Sequence, residues 1–320
     1  MNIHAVRFGA HRTVEAPDFL RDTDLSAHEL SSLLELALQV KIEPEHYRDS
    51  LKHRAVALLF EKPSLRTRMT FELAALQLGG FSVFQDFRDG RIGEREPARD
   101  IARNIDRWFD AIVARTYAHK TLETLAEWSK VPVINALSES YHPCQALADF
   151  LTLKERFGSF EGLKLAYVGD ANNVAHSLLH CSAQLGVSVA LCGHPDYAPR
   201  PKDLDLARSN AESAGCSVEV TSDIREAVRG ASAVYTDVWT SMGWEEETQR
   251  RRIAFADYQV TDEVMAAAAE DAVFMHCLPA LRGEEVSDSV IESDRSLVFE
   301  QAENRLHAHK ALLLMMVGRR

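Results

Sequence analysis

One stretch of sequence decides the fold class: Ala55-Val56-Ala57-Leu58-Leu59-Phe60, then Glu61-Lys62-Pro63-Ser64-Leu65-Arg66-Thr67-Arg68, then Met69–Leu78. The first apolar run predicts a buried strand, the segment around Pro63 predicts a turn, and the third segment predicts an amphipathic helix. Gly79 or Gly80 is expected to end that helix. Strand–turn–helix units of this kind build parallel sheets, so the stretch indicates an α/β protein.

The same alternation continues on both sides of this stretch. Further strands are predicted at Phe81–Phe84, Ala111–Ala114, Val131–Asn135, Leu163–Val168, Ser188–Cys192, Ala233–Thr236 and Ala272–Met275. Further helices are predicted at Ala27–Val40, Ala98–Phe109, Leu122–Lys130 and Gln145–Phe157. Strands that alternate with helices of this length indicate βαβ units and parallel sheets.

The length of 320 residues exceeds the usual size of one domain, so we expect two domains of similar size. The joint is predicted near His142-Pro143, where a strand run ends and a long helix begins. The first domain then covers 1–141 and the second 142–305. A last helix, predicted from about His307 to Val317, would lie in 306–320 and pack back on the first domain.

Composition limits the classes of partner. The formal net charge of −12 disfavours nucleic acid and acidic membranes, and the chain has no apolar run long enough to cross a bilayer. The five cysteines are an odd number without a C-x-x-C pair, which argues against disulfides and structural zinc. The N-terminus lacks the apolar stretch of a secretory signal. We expect a cytoplasmic enzyme.

The segment Ser64–Arg68 has the features of an anion site. A helix N-terminus offers unpaired amides and a partial positive charge, Ser64 and Thr67 add hydroxyl groups, and Arg66 adds a guanidinium that matches phosphate oxygens. Arg66 and Arg68 diverge on a helix, so one is expected to bind the ligand and the other to pair with a carboxylate. The alternative is a capped amphipathic helix whose arginines are only solvated.

Several motifs carry a resemblance to a known family. They are Ser64-Leu65-Arg66-Thr67-Arg68, Ala114-Arg115-Thr116-Tyr117, His142-Pro143-Cys144-Gln145, Gly169-Asp170-Ala171-Asn172-Asn173, Asp237-Val238-Trp239-Thr240-Ser241-Met242-Gly243, His276-Cys277-Leu278-Pro279 and Glu303-Asn304-Arg305. Their types and order resemble the aspartate and ornithine carbamoyltransferases. The resemblance implies two doubly wound α/β domains that flank a cleft, carbamoyl phosphate as a substrate, and a homotrimer or an assembly of trimers with active sites near the subunit interfaces.

By resemblance, the carbamoyl-phosphate site contains Ser64, Leu65, Arg66, Thr67, Arg91, Arg115, His142, Gln145, Cys277, Leu278 and Arg305. Thr67, Arg115 and His142 would donate to the carbonyl oxygen, while Gln145 and the carbonyl of Leu278 would hold the carbamoyl NH2. The family loop usually has threonine where this chain has Leu65, which removes one hydroxyl. Arg91 stands where many ornithine enzymes have a histidine that reaches a neighbouring subunit's phosphate.

The acceptor site is implied to contain Asn173, Asp237, Ser241 and Met242, and Cys277 would help Asp237 to orient the reacting amine. The catalytic residues are then Arg115, His142, Asp237 and Cys277. Asp237 suits an amino group and disfavours aspartate. L-Ornithine, giving L-citrulline, is the expected acceptor. N-Acetylornithine, N-succinylornithine and putrescine are alternatives, and Leu65 favours the acylated substrates; a catalytically silent relative is the rival from another class.

Four motifs are expected to carry no catalytic chemistry of their own. Gly169–Asn173 lacks G-x-G-x-x-G, so no nicotinamide cofactor is expected, nor any other. His176 and His180 are four apart but lack a third ligand, so no metal is expected. Adjacent strand residues point to opposite faces, so His276 should not meet Cys277. The acidic residues 245–247 and the arginines 250–252 are predicted to be solvated surface.

Overall fold

A computed structural model of the chain describes residues 14–241 and 243–317. The strands are β1 Ala55–Phe60, β2 Phe81–Asp86, β3 Ala111–Arg115, β4 Val133–Leu137, β5 Lys164–Val168, β6 Ser188–Cys192, β7 Val218–Thr221, β8 Ala233–Thr236 and β9 Val273–His276. The helices are α1 Ala27–Ile42, α2 Leu65–Gln77, α3 Ala98–Ile105, α4 His119–Trp128, α5 Pro143–Phe157, α6 Asn173–Leu185, α7 Pro201–Ala214, α8 Ile224–Val228, α9 Thr248–Phe255, α10 Asp262–Ala266, α11 Asp288–Ile291 and α12 Val298–Val317.

The described strands form two sheets, and within each sheet every pair of neighbouring strands is parallel. The first sheet has the order β2-β1-β3-β4, and the second has the order β7-β6-β5-β8-β9. Both are covered by helices, so the α/β prediction is confirmed. The centres of the sheets are apolar runs such as β1, all six of whose residues are buried, as expected for strands covered on both faces.

Three of the differences between the structure and the sequence prediction have a clear physical cause. Helix α2 begins at Leu65, so Leu65–Arg68 form its first turn rather than a preceding loop. The short strand β7 was missed because Val-Glu-Val-Thr is half polar and lies at the edge of its sheet. The last helix begins at Val298 and not near His307, because its first turns carry polar residues that are buried rather than an apolar stripe.

Helix α12 connects the two halves of the molecule. It follows the second sheet in sequence, yet it packs against α1, α2 and α5. His309 of α12 stacks on Phe71 of α2, with ring centroids 3.8 Å apart. Asn304 of α12 donates a hydrogen bond to Thr152 of α5 at 2.9 Å. One continuous group of buried apolar residues extends from β1 and α2 through α12 to β5.

The topology determines where a ligand can bind. In the second sheet the strand order reverses between β5 and β8, and the carboxyl ends of parallel strands at such a reversal form a crevice. The loops after β1 and β3 of the first sheet face the same region as the loops after β5, β8 and β9, since all five contribute residues to one cleft. Among the described helices, none combines the length and apolar character needed to span a membrane.

Candidate active site

A cleft of about 400 Å³ lies between the two sheets. Its walls come from the turn before α2, the ends of β3 and β4, the starts of α5 and α6, the loops after β8 and β9, and helix α12. The lining residues are Lys62, Pro63, Ser64, Leu65, Arg66, Thr67, Arg115, Leu137, His142, Gln145, Asn173, Val174, Asp237, Val238, Ser241, Cys277, Leu278, Pro279 and Arg305. The cleft thus gathers the site residues predicted from sequence, except Arg91 and Met242.

The N-terminus of α2 forms one end of the cleft. Ser64 is the N-cap, and its hydroxyl accepts a hydrogen bond from the Thr67 amide at 3.2 Å. The Leu65 and Arg66 amides belong to the unpaired first turn of the helix. Arg68 pairs with Glu72 at 2.9 Å, which is the carboxylate pairing expected for one of the two arginines.

Leu65 lies at the rim of this end of the cleft. Its side chain is 71% exposed in the single chain, although it belongs to the lining. The residue therefore offers its backbone amide to a ligand, while its side chain contributes an apolar surface to the outside of α2.

Three arginines meet beside this helix end. Burial lowers the pKa of Arg115 to about 9, and the neighbouring charges of Arg305 and Arg66 act in the same direction. Burial also lowers the pKa of Arg66 and of Arg305. The Nε atoms of Arg115 and Arg305 are buried without a hydrogen-bond partner among the described residues. Two buried arginines and the half-buried Arg66 form a local concentration of positive charge that favours an anion despite the global charge of −12.

Arg305 also orders two polar side chains of the site. Its Nη1 donates to the side-chain oxygen of Gln145 at 2.7 Å, and its Nη2 donates to the Thr67 hydroxyl at 2.7 Å. Because the Thr67 oxygen accepts from Arg305, its own proton is available for another acceptor. The structure therefore presents Thr67 as a hydrogen-bond donor to the cleft.

His142 is held at the N-terminus of α5. Its backbone amide donates to the Ser177 hydroxyl at 2.9 Å, and that hydroxyl donates to Asp22 at 2.7 Å. Burial, followed by the charges of Arg305 and Arg115, lowers the pKa of the imidazole well below its ordinary value. The ring is consequently neutral at pH 7 and can act as a hydrogen-bond donor but not as a cation.

The opposite end of the cleft is built around Asp237, which follows β8. Its carboxylate accepts hydrogen bonds from Asn172 at 2.7 Å and from the Cys277 thiol at 3.0 Å. Asn172 also donates to the Ser241 hydroxyl at 3.3 Å. Burial and the adjacent Asp237 raise the pKa of Cys277 well above its ordinary value, so the thiol stays protonated.

Asn173 adopts a different arrangement from its neighbour. Its side chain donates to the Ser138 carbonyl at 2.6 Å, which joins the start of α6 to the loop after β4, and it still lines the cleft. Asn172, which was not among the site residues predicted from sequence, is the asparagine that contacts Asp237 and Ser241. Its place in the quoted Gly169–Asn173 motif was the available signal.

Two expectations from sequence were wrong. A nitrogen of His276 lies within 4.8 Å of the Cys277 sulfur, because β9 ends at His276 and the alternation of strand faces stops there. Both ring nitrogens are nevertheless engaged, with Glu285 and with the Leu278 amide, so neither a dyad nor a free metal ligand results. Arg251 is also not solvated surface: it is buried and pairs with Asp170.

The remaining predicted residues lie away from the cleft or outside the described residues. The Arg91 guanidinium packs over the Tyr117 ring of its own chain, 4.5 Å from the centroid, and its contact with a neighbouring subunit stays a prediction. Met242 lies outside the described residues.

Lys62, which was not among the site residues predicted from sequence, is buried in the cleft wall. Burial and the charge of Arg115 lower its pKa to about 8.

Comparison with known proteins identifies the family. Residues 17–155 match the carbamoyl-P binding domain and residues 161–316 match the Asp/Orn binding domain of the aspartate/ornithine carbamoyltransferases. The chain belongs to this family. The two halves of this carbamoyltransferase-family chain thus correspond to the two sheets; the first matched range ends within α5, and the second begins at residue 161.

Curated relatives and solved structures agree with the assignment. An ornithine carbamoyltransferase of Acidothermus cellulolyticus is 49% identical over 93% of the chain and 96% of that relative. The ornithine carbamoyltransferase structure from Pyrococcus furiosus has a TM-score of 0.91 and 44% identity, covering 95% of this chain and 97% of that one. An acetylornithine transcarbamylase complexed with acetylcitrulline has a TM-score of 0.85 and 33% identity, covering 94% and 99%.

Proposed function

We propose that the protein transfers the carbamoyl group of carbamoyl phosphate to the δ-amine of L-ornithine, giving L-citrulline and phosphate. The observation that carries the proposal is the polarity of the cleft. One end concentrates three arginines around a helix N-terminus, and the other end presents the Asp237 carboxylate and a protonated thiol. An acyl phosphate and an amine are the ligands that these two ends suit.

Carbamoyl phosphate would bind with its phosphate on the first turn of α2. Ser64, the Leu65 amide, Arg66 and Thr67 would supply donors there, and Arg91 would donate from a neighbouring subunit. Thr67, Arg115 and His142 would donate to the carbonyl oxygen, where negative charge develops during attack. The oxygen of Gln145 and the Leu278 carbonyl would accept from the carbamoyl NH2, with Arg305 holding Gln145 and Thr67 in place.

Ornithine would place its amino-acid end against Asn173, Ser241 and the Met242 backbone, with its δ-amine at Asp237 and Cys277. The neutral amine attacks the carbonyl carbon, the bond from that carbon to the phosphate oxygen breaks, and phosphate accepts the surplus proton. Deprotonation of such an alkylamine at pH 7 costs roughly 4–5 kcal/mol, since its ordinary pKa is about 10.4. Because Cys277 stays protonated, it orients the amine and forms no covalent intermediate.

The alternative acceptors are N-acetylornithine, N-succinylornithine and putrescine. Identities of 44% and 49% to two curated ornithine carbamoyltransferases, against 33% to the acetylornithine enzyme, favour free ornithine. A colorimetric ureido assay with these amines distinguishes the acceptors. We expect product with ornithine at a rate at least about tenfold above the others, because the site must leave a buried group unpaired with a wrong amine. Product only with N-acetylornithine would refute L-ornithine as the acceptor. No product with any amine would refute the carbamoyltransferase activity.

We also propose that the chain forms a homotrimer or an assembly of trimers. Support comes from an apolar surface on α2 and the edge strand β2, formed by Leu65, Met69, Leu76, Phe81 and Val83 and exposed in the single chain. Apolar patches of this kind mark interfaces, and this one adjoins the cleft through Leu65. Sedimentation equilibrium should give three times the chain mass of 35.8 kDa or a multiple of that value. A monomer at micromolar concentration would contradict the proposal.

We further propose that the chain divides into domains at 1–141 and 142–305, with 306–320 packing back on the first. The contacts of α12 with α1 and α2 support this division. The enzyme is placed in the cytoplasm. All five cysteines lie in the described part of the chain and are unpaired, as is usual in a reducing compartment.

A further inference from the structure

The carboxylate of Asp149 lies in α5 directly behind the cleft, where it accepts three hydrogen bonds. Gln145 donates to Oδ1 at 2.7 Å, Gln301 donates to Oδ1 at 2.9 Å, and Tyr235 donates to Oδ2 at 3.1 Å. The residue is fully buried, and it does not line the cleft itself. Asp149 therefore cannot touch a substrate, and any role in the reaction must act through a neighbour.

Gln145 is that neighbour, because its amide is held from both sides. The side-chain oxygen accepts from Arg305 at 2.7 Å, and the side-chain nitrogen donates to Asp149. A guanidinium can only donate and an ionised carboxylate can only accept, so these two groups permit one orientation of the amide. Burial raises the pKa of Asp149 to about 6, which still leaves the carboxylate ionised at neutral pH.

The fixed orientation decides what Gln145 offers to the cleft. An amide oxygen has two lone pairs, and Arg305 occupies one of them. The other remains available for a donor in the cleft that Gln145 lines. If the amide turned over, its NH2 would face the cleft instead and would oppose the NH2 of a carbamoyl group, donor against donor.

We propose that Asp149 is a positioning residue that fixes the Gln145 amide as an acceptor and thereby selects a carbamoyl group over the nearly isosteric acetyl group. The two groups differ only in NH2 against CH3, so an acceptor at this position is the feature that separates carbamoyl phosphate from acetyl phosphate. This inference rests on the proposed function, in particular on the contact between Gln145 and the carbamoyl NH2.

The experiment compares ligands that share a phosphate and differ in the NH2. Asp149→Leu removes the acceptor at similar volume, and Asp149→Asn keeps one acceptor oxygen. The dissociation constant of carbamoyl phosphate and the inhibition constants of acetyl phosphate and inorganic phosphate are measured for each. We expect Asp149→Leu to raise the dissociation constant of carbamoyl phosphate about tenfold and Asp149→Asn to raise it about threefold, in keeping with one lost hydrogen bond. The inhibition constants of acetyl phosphate and inorganic phosphate should change by less than about twofold, since neither ligand uses that acceptor.

Tyr235→Phe is the matched control, because it removes a different donor to Asp149 and leaves Gln145 in place. Its ratio of carbamoyl-phosphate to acetyl-phosphate affinity should match the wild type. An equal loss of affinity for all three ligands in the Asp149 variants would show a general structural role and overturn the proposal. An unchanged ratio of carbamoyl-phosphate to acetyl-phosphate affinity would overturn it as well. If Asp149→Leu does not fold, the ratio in Asp149→Asn decides alone.

Gln145→Leu separates this inference from the proposed site. If Gln145→Leu lowers the ratio and the Asp149 variants do not, only the role of Asp149 fails. If Gln145→Leu leaves the ratio unchanged, the carbamoyl contact itself is wrong. The overall activity is tested independently by citrulline formation in the wild-type protein.

Discussion

At the scale of single residues, burial sets the protonation states of side chains that line the cleft. Arg115 and His142 both have lowered pKa values, while Cys277 has a raised one, and in each case burial is the largest cause. At neutral pH the site therefore combines arginines that remain charged, a neutral imidazole and a protonated thiol. This combination offers donors to developing negative charge, and the protonated thiol does not compete as a nucleophile.

Lys62 should make carbamoyl-phosphate binding sensitive to alkaline pH. Its pKa is lowered to about 8, so it is a cation below that pH and loses its charge above it. We expect KM for carbamoyl phosphate to rise as pH increases from about 7 to about 9. Lys62→Arg keeps the charge throughout this range and should flatten the profile. The measurement is KM at saturating ornithine; the same rise in the arginine variant would show that Lys62 is not the titrating group.

Leu65 should limit phosphate affinity. Leu65→Thr restores a hydroxyl at the first turn of α2, and a hydrogen bond to a charged group contributes roughly 1.5–3 kcal/mol. Because the side chain is 71% exposed, water competes and the lower value applies, about a tenfold gain. Isothermal titration with carbamoyl phosphate measures the effect, and Leu65→Val serves as the control without a hydroxyl. A loss of affinity in the threonine variant would contradict the account of this loop.

At the scale of elements, the sequence predicted the parts with strong periodicity and missed those without it. The buried strands β1, β5, β6 and β8 were predicted within one residue at each end because their apolar runs are uninterrupted. The early start of α12 was missed because its polar residues are buried by partners distant in sequence, such as Thr152 against Asn304. Likewise, the Gly169–Asn173 motif contains Asn172 but did not indicate that its side chain would contact Asp237, 65 positions away.

The relay from Asp22 through Ser177 to the His142 amide should matter for both stability and rate. Ser177→Ala leaves a buried carboxyl group and a buried amide without their shared partner. The expected loss is about 1–3 kcal/mol in the free energy of unfolding. We also expect kcat to fall, because the start of α5 is no longer fixed. Urea unfolding and citrulline formation measure the two effects. Ser213→Ala on the exposed end of α7 is the control and should change neither.

At the scale of the whole molecule, two parallel sheets and one returning helix assemble a site that neither half contains alone. Arg66 and Arg115 come from the first half, Asp237 and Cys277 from the second, and Arg305 from α12. All five of these residues were predicted from the sequence motifs, by resemblance. The distances between them, and the burial that sets their pKa values, required the folded structure.

The apolar surface on α2 and β2 should hold the subunits together. Leu76→Lys places a charge in that surface and should shift the assembly toward monomer, with a loss of activity if a neighbouring Arg91 completes the site. Leu76 is 65% exposed in the single chain, so the lysine should not disturb folding. Ile253→Lys on α9 is a matched control at 71% exposure. Sedimentation velocity reports the assembly; an unchanged oligomer in the Leu76 variant would place the interface elsewhere.

The most direct test of the account is the binding of a bisubstrate compound in which a phosphonoacetyl group is joined to the δ-nitrogen of L-ornithine. Since the cleft is proposed to hold both substrates end to end, linking them should increase the affinity at least about 100-fold over that of either part alone. Titration calorimetry should show one site per chain, and the affinity should fall in both Arg66→Ala and Asp237→Asn. Affinity no greater than that of carbamoyl phosphate, or sensitivity to only one of the two substitutions, would contradict a shared cleft.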